Sequence, residues 1–294
     1  MSGAQNRSVL SRETLMLDGL LCLHQAPLKL CVDAAMGGHI VEFSFDGDNA
    51  LITNAPEVGS TFWPSPQHAW GWPPPKTLDK APYKVVKSKD HIEIVSDVCE
   101  VTGLQLSKSF HLESGRLLIE YEMRNPGDSP LQFAPWEITR IGGGLTFYQS
   151  TERPLALSTG TSVEVDGVVW HDYRPEMQEQ NEKVFGNGSV GWLANAYQGL
   201  LFIKQFEPVN VEAVAQGEAE IEIYGHGDPQ NAYVEVEQQG RYQVIPPLEK
   251  IKWQVQWLLA PIPEKIDSKV GSNKLVKLVK SMVNDSPFNV SGKP

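Results

Sequence analysis

LQLSKSFHLESGRLLIEYEMRN, residues 104–125, holds two runs of alternating apolar and polar side chains on either side of Glu113-Ser114-Gly115. Alternation with a period of two is typical of β-strands, because successive side chains point to opposite faces of a sheet. A short polar turn that contains glycine commonly joins such strands into an antiparallel hairpin. The stretch therefore predicts two antiparallel strands, over residues 104–112 and 116–125.

The same pattern continues along most of the chain, at the even spacing of a β-sandwich. Further strands are predicted over residues 28–33, 39–45, 83–88, 91–95, 131–141, 163–171, 191–196, 200–206, 211–224 (as a pair), 232–239 and 245–259. A sustained helical period is confined to residues 274–284. We therefore predict an all-β fold, a large antiparallel β-sandwich with a short C-terminal helix. The expected parts are a flexible N-terminal segment (1–17), one sandwich domain (18–262), and a C-terminal helix and tail (263–294).

Composition limits the classes of partner. A formal net charge of −11 argues against nonspecific binding to nucleic acid or to anionic membranes. No apolar run approaches the roughly 18 residues of a membrane span, and the N-terminus lacks the apolar core of a secretion signal. We therefore expect a soluble, cytoplasmic protein, in which Cys22, Cys31 and Cys99 are reduced because they lack any C-x-x-C spacing. The histidines are isolated and phosphate-binding motifs are missing, so we predict no metal and no cofactor.

Residues 61–83, TFWPSPQHAWGWPPPKTLDKAPY, concentrate aromatic rings and prolines. Proline at this density excludes a helix and a central strand, because each one removes a backbone donor, so we predict a stiff loop. Flat rings beside a few polar groups suit a sugar, whose C–H face stacks on a ring while its hydroxyls form hydrogen bonds. The alternative is a lid whose tryptophans only cover one end of the core. The candidate ligand-binding side chains of this loop are Trp63, Gln67, Trp70 and Trp72, with His68 beside them.

Charged side chains interrupt the strand predicted over residues 131–141. Trp136 and Arg140 fall on one of its faces and Glu137 falls on the other, so neither face is plainly apolar. Lys204 lies in another strand, between two phenylalanines on the same face, and we expect it to have a carboxylate or a ligand as partner. Glu137, Arg140 and Lys204 are therefore candidate substrate-binding residues.

Two glutamates share a face of the strand predicted over residues 232–239. Glu235 and Glu237 lie two residues apart, which is roughly 6.6 Å along a strand. The pattern is ordinary on an edge that faces solvent. If the face lines a pocket that also holds Arg140 or Lys204, the two carboxylates are candidate acid/base groups.

Several stretches follow one another in a fixed order: GGHIVEFSFDGDNAL (37–51), FWPSPQHAWGWPPP (62–75), PWEITRIGGG (135–144), GWLANAYQGLLFIKQF (191–206), YVEVEQQG (233–240) and W-x-V-x-W (253–257). In this order they resemble the galactose mutarotase-like β-supersandwich superfamily, and in particular its bacterial DUF4380 branch. The resemblance spans most of residues 28–259 and implies a supersandwich fold.

The resemblance also implies catalytic roles. In aldose mutarotases of this superfamily, a glutamate in a Glu-x-Gln motif takes the proton of the anomeric hydroxyl, and a histidine in an Asn-His-x-Tyr-Phe strand protonates the ring oxygen. Glu237 in Glu-Gln-Gln matches the first motif and is the implied base, with Lys204 as its expected counter-ion. The second motif is absent, since Trp136 stands about where the histidine would be. The family's second histidine comes from an early loop, so His68 is the candidate acid.

Three functions remain open from the sequence. The first is a mutarotase- or epimerase-like isomerase that acts on the anomeric centre of a sugar through Glu237 and His68 and needs no cofactor. The second is a carbohydrate-binding protein without turnover, which the missing Asn-His motif favours. The third is a polysaccharide lyase or hydrolase, although carboxylates on one strand face point the same way rather than flank a bond. In the first two readings, the expected partner is a small-molecule sugar, and no pattern indicates an oligomeric state.

Overall fold

The alternating stretches of sequence become strands in the computed structural model, which describes residues 13–17, 19–54, 57–150, 158–177 and 179–283. In chain order, the elements are β1 (Glu13–Leu17), β2 (Leu20–Gln25), β3 (Leu28–Asp33), β4 (His39–Phe45), β5 (Asp48–Asn49), β6 (Ser60–Ser65), α1 (Lys76–Asp79), β7 (Lys84–Ser88), β8 (Ile92–Val95), β9 (Gln105–Glu113), β10 (Arg116–Arg124), β11 (Leu131–Ile141), β12 (Gly144–Gln149), β13 (Val163–Val165), β14 (Val168–Tyr173), β15 (Glu182–Gly186), β16 (Trp192–Tyr197), β17 (Leu200–Phe206), β18 (Ile221–Gly225), β19 (Val234–Gln239), β20 (Gln243–Ile245), β21 (Lys250–Pro261) and α2 (Asn273–Val283).

These strands assemble into two large sheets. The first sheet has the order β1-β2-β3-β4-β6-β11-β19-β18-β15, with β5 paired to β4 and β20 paired to β11. The second sheet has the order β13-β14-β12-β16-β17-β21-β10-β9-β8-β7. The predicted all-β antiparallel sandwich with a short C-terminal helix is therefore confirmed. Several strands, β3, β4 and β11 among them, begin and end where the alternation of the sequence predicts.

The core lies between the sheets, where one face of each is apolar. Phe62 of the first sheet stacks on Tyr121 of the second, with ring centroids 4.0 Å apart. Phe43 of the first sheet meets Trp257 of the second edge to face at 5.6 Å. Because side chains alternate along a strand, the residues next to Phe43 and Phe62 point to the outer face of the first sheet. Trp63, beside Phe62, is one of them.

The prediction of a loop throughout residues 61–83 is wrong at two places, because β6 is a central strand in spite of Pro64 and residues 76–79 form the short helix α1 directly after Pro75. Pro64 lies directly opposite Pro135 on β11. Their carbonyls point away from each other, since Pro64 O accepts from Trp70 Nε1 at 2.7 Å and Pro135 O accepts from Gly240 N at 2.8 Å. In such a pair the backbone nitrogens also point outward, so the prolines remove no hydrogen bond between the two strands.

The pair of strands predicted within residues 211–224 is also wrong. Val211–Ala213 form a 3₁₀ turn, and only β18 is a strand in this part of the chain. A turn intervenes at Gly217, whose φ of 85° lies in the left-handed region that favours glycine.

The expectation of three reduced cysteines is wrong for two of them. Cys22 on β2 lies directly opposite Cys31 on β3, and the two form a disulfide. The pairing register brings them together, which sequence spacing alone does not show. Cys99 is free and buried, as predicted.

The two ends of the chain are described in part. Residues 13–17 of the predicted N-terminal segment form β1, and residues 1–12 lie outside the described residues. Residues 284–294, the end of the predicted tail, also lie outside them. Within the described ranges, neither helix has the length and apolar character that crossing a membrane requires.

Candidate functional site

A cleft of about 500 Å³ opens on the outer face of the first sheet, where β6, β11, β19, β18 and β15 run side by side. Its volume is within the usual range of ligand sites, roughly 300–1,000 Å³. The lining residues are Glu57, Trp63, Gln67, Trp72, Trp136, Lys183, Tyr224, His226, Tyr233 and Glu235. We call this site the aromatic cleft.

The floor of the aromatic cleft is built by strand register, which places side chains of neighbouring strands in rows. From β11 to β15, one row contains Arg140, Glu235, Tyr224 and Lys183. Two residues along each strand, the adjacent row contains Ile138, Glu237 and Glu222. Both rows face away from the second sheet, because Glu137 and Gln238, at the intervening positions, contact side chains of that sheet.

Tryptophans of the proline-rich stretch form one wall. The Trp63 ring lies nearly perpendicular to those of Trp70, Trp72 and Trp136, with centroids 5.8, 6.2 and 5.6 Å away. Trp63 is buried and its Nε1 donates to Asp79 at 2.8 Å, so this ring is fixed in place. Trp72 is 63% exposed and offers its ring to a ligand.

The other predicted residues of this stretch have different positions. Gln67 lines the aromatic cleft, and its backbone N–H donates to Glu218 at 2.9 Å. Trp70 packs behind Trp63 rather than lining the cleft. His68 is exposed and is not among the lining residues. The structure therefore does not bring the predicted acid to this cleft.

A different histidine does line it. The ring of His226 stacks on Tyr233, with centroids 4.8 Å apart and an angle of 15° between the planes. Its Nδ1 accepts from the backbone N–H of Asp228 at 3.4 Å, which leaves Nε2 to carry the proton of the neutral ring. Sequence reasoning missed His226, although it follows β18 at the spacing that continues the Glu222 and Tyr224 face.

Glu235 and Arg140 form a buried ion pair at the edge of the cleft. Arg140 Nε lies 2.8 Å from Glu235 Oε1, and the guanidinium sits over the Trp63 ring at 5.6 Å. Burial raises the pKa of the Glu235 carboxyl to about 7, against the opposing charge of Arg140. Glu235 therefore exchanges a proton near neutral pH and remains in contact with the cleft.

Glu237 lies deeper and has a different cation from the predicted one. Its side chain is fully buried, and Trp136 Nε1 donates to Oε2 at 2.9 Å. Lys183 Nζ lies 3.4 Å from Glu237 Oε1 and 2.6 Å from Glu222 Oε2. Burial raises the pKa of the Glu237 and Glu222 carboxyls, although Lys183 opposes this shift.

The prediction that Lys204 pairs with Glu237 is therefore wrong. Lys204 Nζ lies 3.0 Å from Glu137, and both side chains are fully buried between the sheets. Glu137 also accepts hydrogen bonds from Tyr121 at 2.7 Å and from Trp257 at 2.9 Å. The structure places this polar group in the core, away from the aromatic cleft, because residue 137 has the opposite parity to Trp136 and Arg140. Neither Glu137 nor Lys204 is in a position to contact a ligand there.

Within the described part of the chain, no group of three or more His, Cys, Asp or Glu side chains has the arrangement of a metal site.

Comparison with protein families matches residues 65–260 to DUF4380, a domain of unknown function. The match covers well over half of the 294 residues. The chain belongs to the DUF4380 family. No curated protein sequence matches this DUF4380 protein.

Solved structures share the fold of this DUF4380 protein. The galactose mutarotase related enzyme from Lactobacillus acidophilus is 8% identical, with 84% of this chain and 99% of that chain covered at a TM-score of 0.59. A galactose mutarotase-like protein from Lactobacillus casei is 10% identical, with 82% and 100% covered at a TM-score of 0.55. The Slr1438 protein from Synechocystis is 14% identical, with 88% and 100% covered at a TM-score of 0.59. At these identities the likeness shows the galactose mutarotase-like sandwich fold.

The aromatic cleft of this DUF4380 protein combines three chemical features. Trp72 supplies an accessible ring for stacking. Glu235 supplies a carboxyl with a pKa raised by burial to about 7. His226 supplies an imidazole on the same cleft wall as Tyr233. Together they provide a ring platform, a carboxyl and an imidazole in one cleft, the kinds of group that act as general acids and bases.

Proposed function

We propose that this DUF4380 protein binds a sugar in the aromatic cleft and interconverts its anomers, with Glu235 as the general base. The observation that carries the proposal is that a carboxyl with a pKa of about 7 lines the same cleft as the accessible ring of Trp72. A base is most effective when its pKa is near the working pH. The galactose mutarotase-like fold supports the choice of a sugar, as an analogy only.

Accessibility favours Glu235 over Glu237, the base that the sequence motif implied. Glu237 is fully buried beneath Trp136 and Lys183, whereas the Glu235 side chain keeps 13% of its surface exposed. The ion pair with Arg140 involves Oε1 of Glu235, so Oε2 is the oxygen proposed to receive a proton. Glu237 is then a positioning residue that holds Lys183 and Trp136.

His226 is proposed as the acid. In the ring-opening step Glu235 takes the proton of the anomeric hydroxyl, and His226 Nε2–H gives its proton to the ring oxygen as the bond from that oxygen to the anomeric carbon breaks. The open aldehyde rotates about the adjacent carbon–carbon bond. Protons then return in the reverse direction, and the ring closes as the other anomer. Each group ends the cycle in its starting state, so the reaction consumes no co-reactant.

The test is NMR exchange of α- and β-anomers of glucose and galactose, measured above the buffer rate. Glu235→Gln and His226→Gln are each expected to lower the rate by roughly 10²–10⁴-fold, the usual contribution of a general acid or base. His68→Gln is the matched control, since His68 is exposed and outside the cleft, and it is expected to leave the rate unchanged.

The outcomes separate the assignments. A rate lost in Glu237→Gln but kept in Glu235→Gln returns the base to Glu237. A rate lost in His68→Gln but kept in His226→Gln overturns the proposed acid. If the parent protein binds none of the tested sugars, the whole proposal is overturned.

Binding without turnover is the second candidate function, and one observation favours it. The sequence resemblance puts Trp136 about where the catalytic histidine of mutarotases would stand, and here its Nε1 donates to Glu237 at 2.9 Å. In this case Trp72→Ala weakens sugar binding measured by calorimetry, while the parent protein leaves the anomer exchange rate at its buffer value.

A further inference from the structure

Tyr233 lines the aromatic cleft beside the two groups that are proposed to move protons. It directly precedes β19, and by alternation its side chain shares a face with that of Glu235, two residues further along the chain. Its ring stacks on the imidazole of His226, with centroids 4.8 Å apart. Tyr233 therefore lies next to the proposed base and also next to the proposed acid.

The Tyr233 side chain is nearly buried, but its hydroxyl oxygen is not sealed in the protein. The residue keeps 6% of its surface exposed, and its Oη forms no hydrogen bond with any described residue. Other unpaired side-chain atoms are closed off from solvent, and Tyr148 Oη is one of them, whereas Tyr233 Oη is not. A hydroxyl that is open to the cleft and has no protein partner is available to a ligand.

The charged neighbours of this hydroxyl place it on the cleft side of the ring. They are Glu235, Arg140 and Glu57, of which Glu235 and Glu57 line the cleft and Arg140 pairs with Glu235 at 2.8 Å. Burial raises the pKa of the Tyr233 phenol, and the charge of Glu235 raises it further, while Arg140 opposes the shift. The phenol therefore keeps its proton at neutral pH and donates a hydrogen bond without giving the proton up.

The ring-opening step of the proposed function, on which this inference rests, needs a donor at one particular oxygen. As Glu235 removes the proton of the anomeric hydroxyl, negative charge develops on the anomeric oxygen. A fixed hydrogen-bond donor at that oxygen stabilises this charge and so lowers the barrier. Tyr233 is suited to this position because its side chain lies on the same face as that of Glu235, two residues away.

We propose that Tyr233 is a further catalytic residue, whose hydroxyl donates a hydrogen bond to the anomeric oxygen of the sugar and stabilises its charge in the transition state. No proton is transferred to or from Tyr233. The anomeric proton goes to Glu235, the ring oxygen receives its proton from His226, and the bond between that oxygen and the anomeric carbon breaks. The hydrogen bond from Tyr233 strengthens while the charge is present.

Tyr224 is the competing donor, since it lies directly opposite Glu235 on β18 and also lines the cleft. Its side chain is half-buried, whereas Tyr233 is held by the stack with His226 and by its own carbonyl, which accepts from His226 N at 3.0 Å. A donor that is fixed in place before the reaction stabilises developing charge without a cost of reorganisation. This difference favours Tyr233.

The experiment compares the full chain with its Tyr233→Phe, Tyr224→Phe and Tyr148→Phe variants. Anomer exchange of glucose and galactose is measured by NMR over a range of sugar concentrations, which separates kcat from KM, and urea denaturation reports stability. Tyr148→Phe is the matched control, because it also removes an unpaired hydroxyl from a buried tyrosine, but one that does not line the cleft. Tyr233→Phe and Tyr148→Phe are both expected to unfold at the urea concentration of the parent, since neither hydroxyl bonds to a described residue.

Tyr233→Phe is expected to lower kcat by about 10²-fold and to leave KM nearly unchanged, because the lost hydrogen bond acts mainly in the transition state. Tyr148→Phe is expected to keep the kcat of the parent, and Tyr224→Phe is expected to lose less than Tyr233→Phe. The proposal is overturned if Tyr233→Phe changes KM alone, if it unfolds at a lower urea concentration than the parent, or if Tyr224→Phe loses more activity.

The kcat of the parent distinguishes a failure of this inference from a failure of the proposed function. If the parent exchanges anomers and Tyr233→Phe is equally active, only the role of Tyr233 is overturned. If the parent exchanges no anomers, the proposed turnover is overturned, and the catalytic role of Tyr233 with it.

Discussion

Lys183 Nζ and Glu237 Oε1 lie 3.4 Å apart although their strands, β15 and β19, are not neighbours. The lysine side chain reaches across β18, where Nζ also lies 2.6 Å from Glu222 Oε2. The Lys183 ammonium group therefore forms ion pairs with two fully buried carboxylates directly beneath the aromatic cleft. Its Nζ also lies over the Trp136 ring at 5.3 Å, so the same cation orders part of the aromatic wall.

Lys183→Met is expected to lower the free energy of unfolding at pH 7.5 by about 3 kcal/mol, because it leaves two buried carboxylates without their cation. Urea denaturation measures this change. The control is Lys250→Met, which breaks the exposed pair with Glu122 and is expected to cost less than about 1 kcal/mol. Equal losses for the two variants would contradict the role given to Lys183.

Glu220 links stability to pH. Its buried side chain accepts from the backbone N–H groups of Gly188 at 2.6 Å and Val209 at 2.5 Å, and burial raises its pKa to about 7. The folded protein thus binds a proton that the unfolded chain releases near pH 4.5. The stabilisation is complete below about pH 4.5 and is lost as pH rises toward about 7.

Glu220→Gln is therefore expected to flatten the decrease of stability between pH 5 and pH 7.5 by at most about 1.4 kcal/mol per pH unit, the slope for one proton. Thermal or urea unfolding across this range provides the measurement. Glu164→Gln, at an exposed position, is the matched control and is expected to leave the slope unchanged. A Glu220→Gln slope identical to that of the parent protein would refute the assignment.

Arg140 is expected to lower the pKa of Glu235, the proposed general base. Its positive charge lowers the pKa of Glu235, which burial raises to about 7. The proposed activity requires ionised Glu235, so it rises with pH through this value. Arg140→Gln removes the cation, and the rising limb is expected to move to higher pH by about 1 unit or more. The pH profile of anomer exchange measures the shift, and a limb that stays in place excludes Glu235 as the titrating group.

Substitution of Trp63 is expected to lower the stability of the fold, whereas substitution of Trp72 is expected to weaken sugar binding and leave the stability nearly unchanged. Trp63 is buried and donates to Asp79, so Trp63→Ala is expected to cost about 3–5 kcal/mol of folding free energy. Trp72 is 63% exposed, and Trp72→Ala is expected to keep stability within about 0.5 kcal/mol of the parent. The same change should weaken sugar binding by about 1 kcal/mol. Calorimetric titration and urea denaturation measure the two effects, and unchanged affinity in Trp72→Ala places the platform elsewhere.

Local sequence was sufficient for most of the strands and for the faces of their side chains, although it failed at β6 and within residues 211–224. The alternation along residues 131–141 placed Trp136 and Arg140 together and opposite to Glu137, and the structure has this arrangement. The reason is that a strand has a fixed period of two, whatever it packs against. The same rule put Glu235 and Glu237 on one face, without indicating which of them reaches a cleft.

The partners of those side chains required the tertiary structure. Lys204 has the pattern of a buried cation, but its carboxylate is Glu137, because the facing of the two sheets decides which charges meet. Cys22 and Cys31 became partners through strand register, and His226 entered the cleft through a strand whose limits the sequence did not indicate. Alternation is a local property of the chain, whereas register and sheet packing join residues far apart in sequence. The sequence by itself therefore determined the β-sandwich and the faces of the side chains on the strands that it predicted, and only the tertiary structure decided that Lys183, Glu235 and His226 share one cleft.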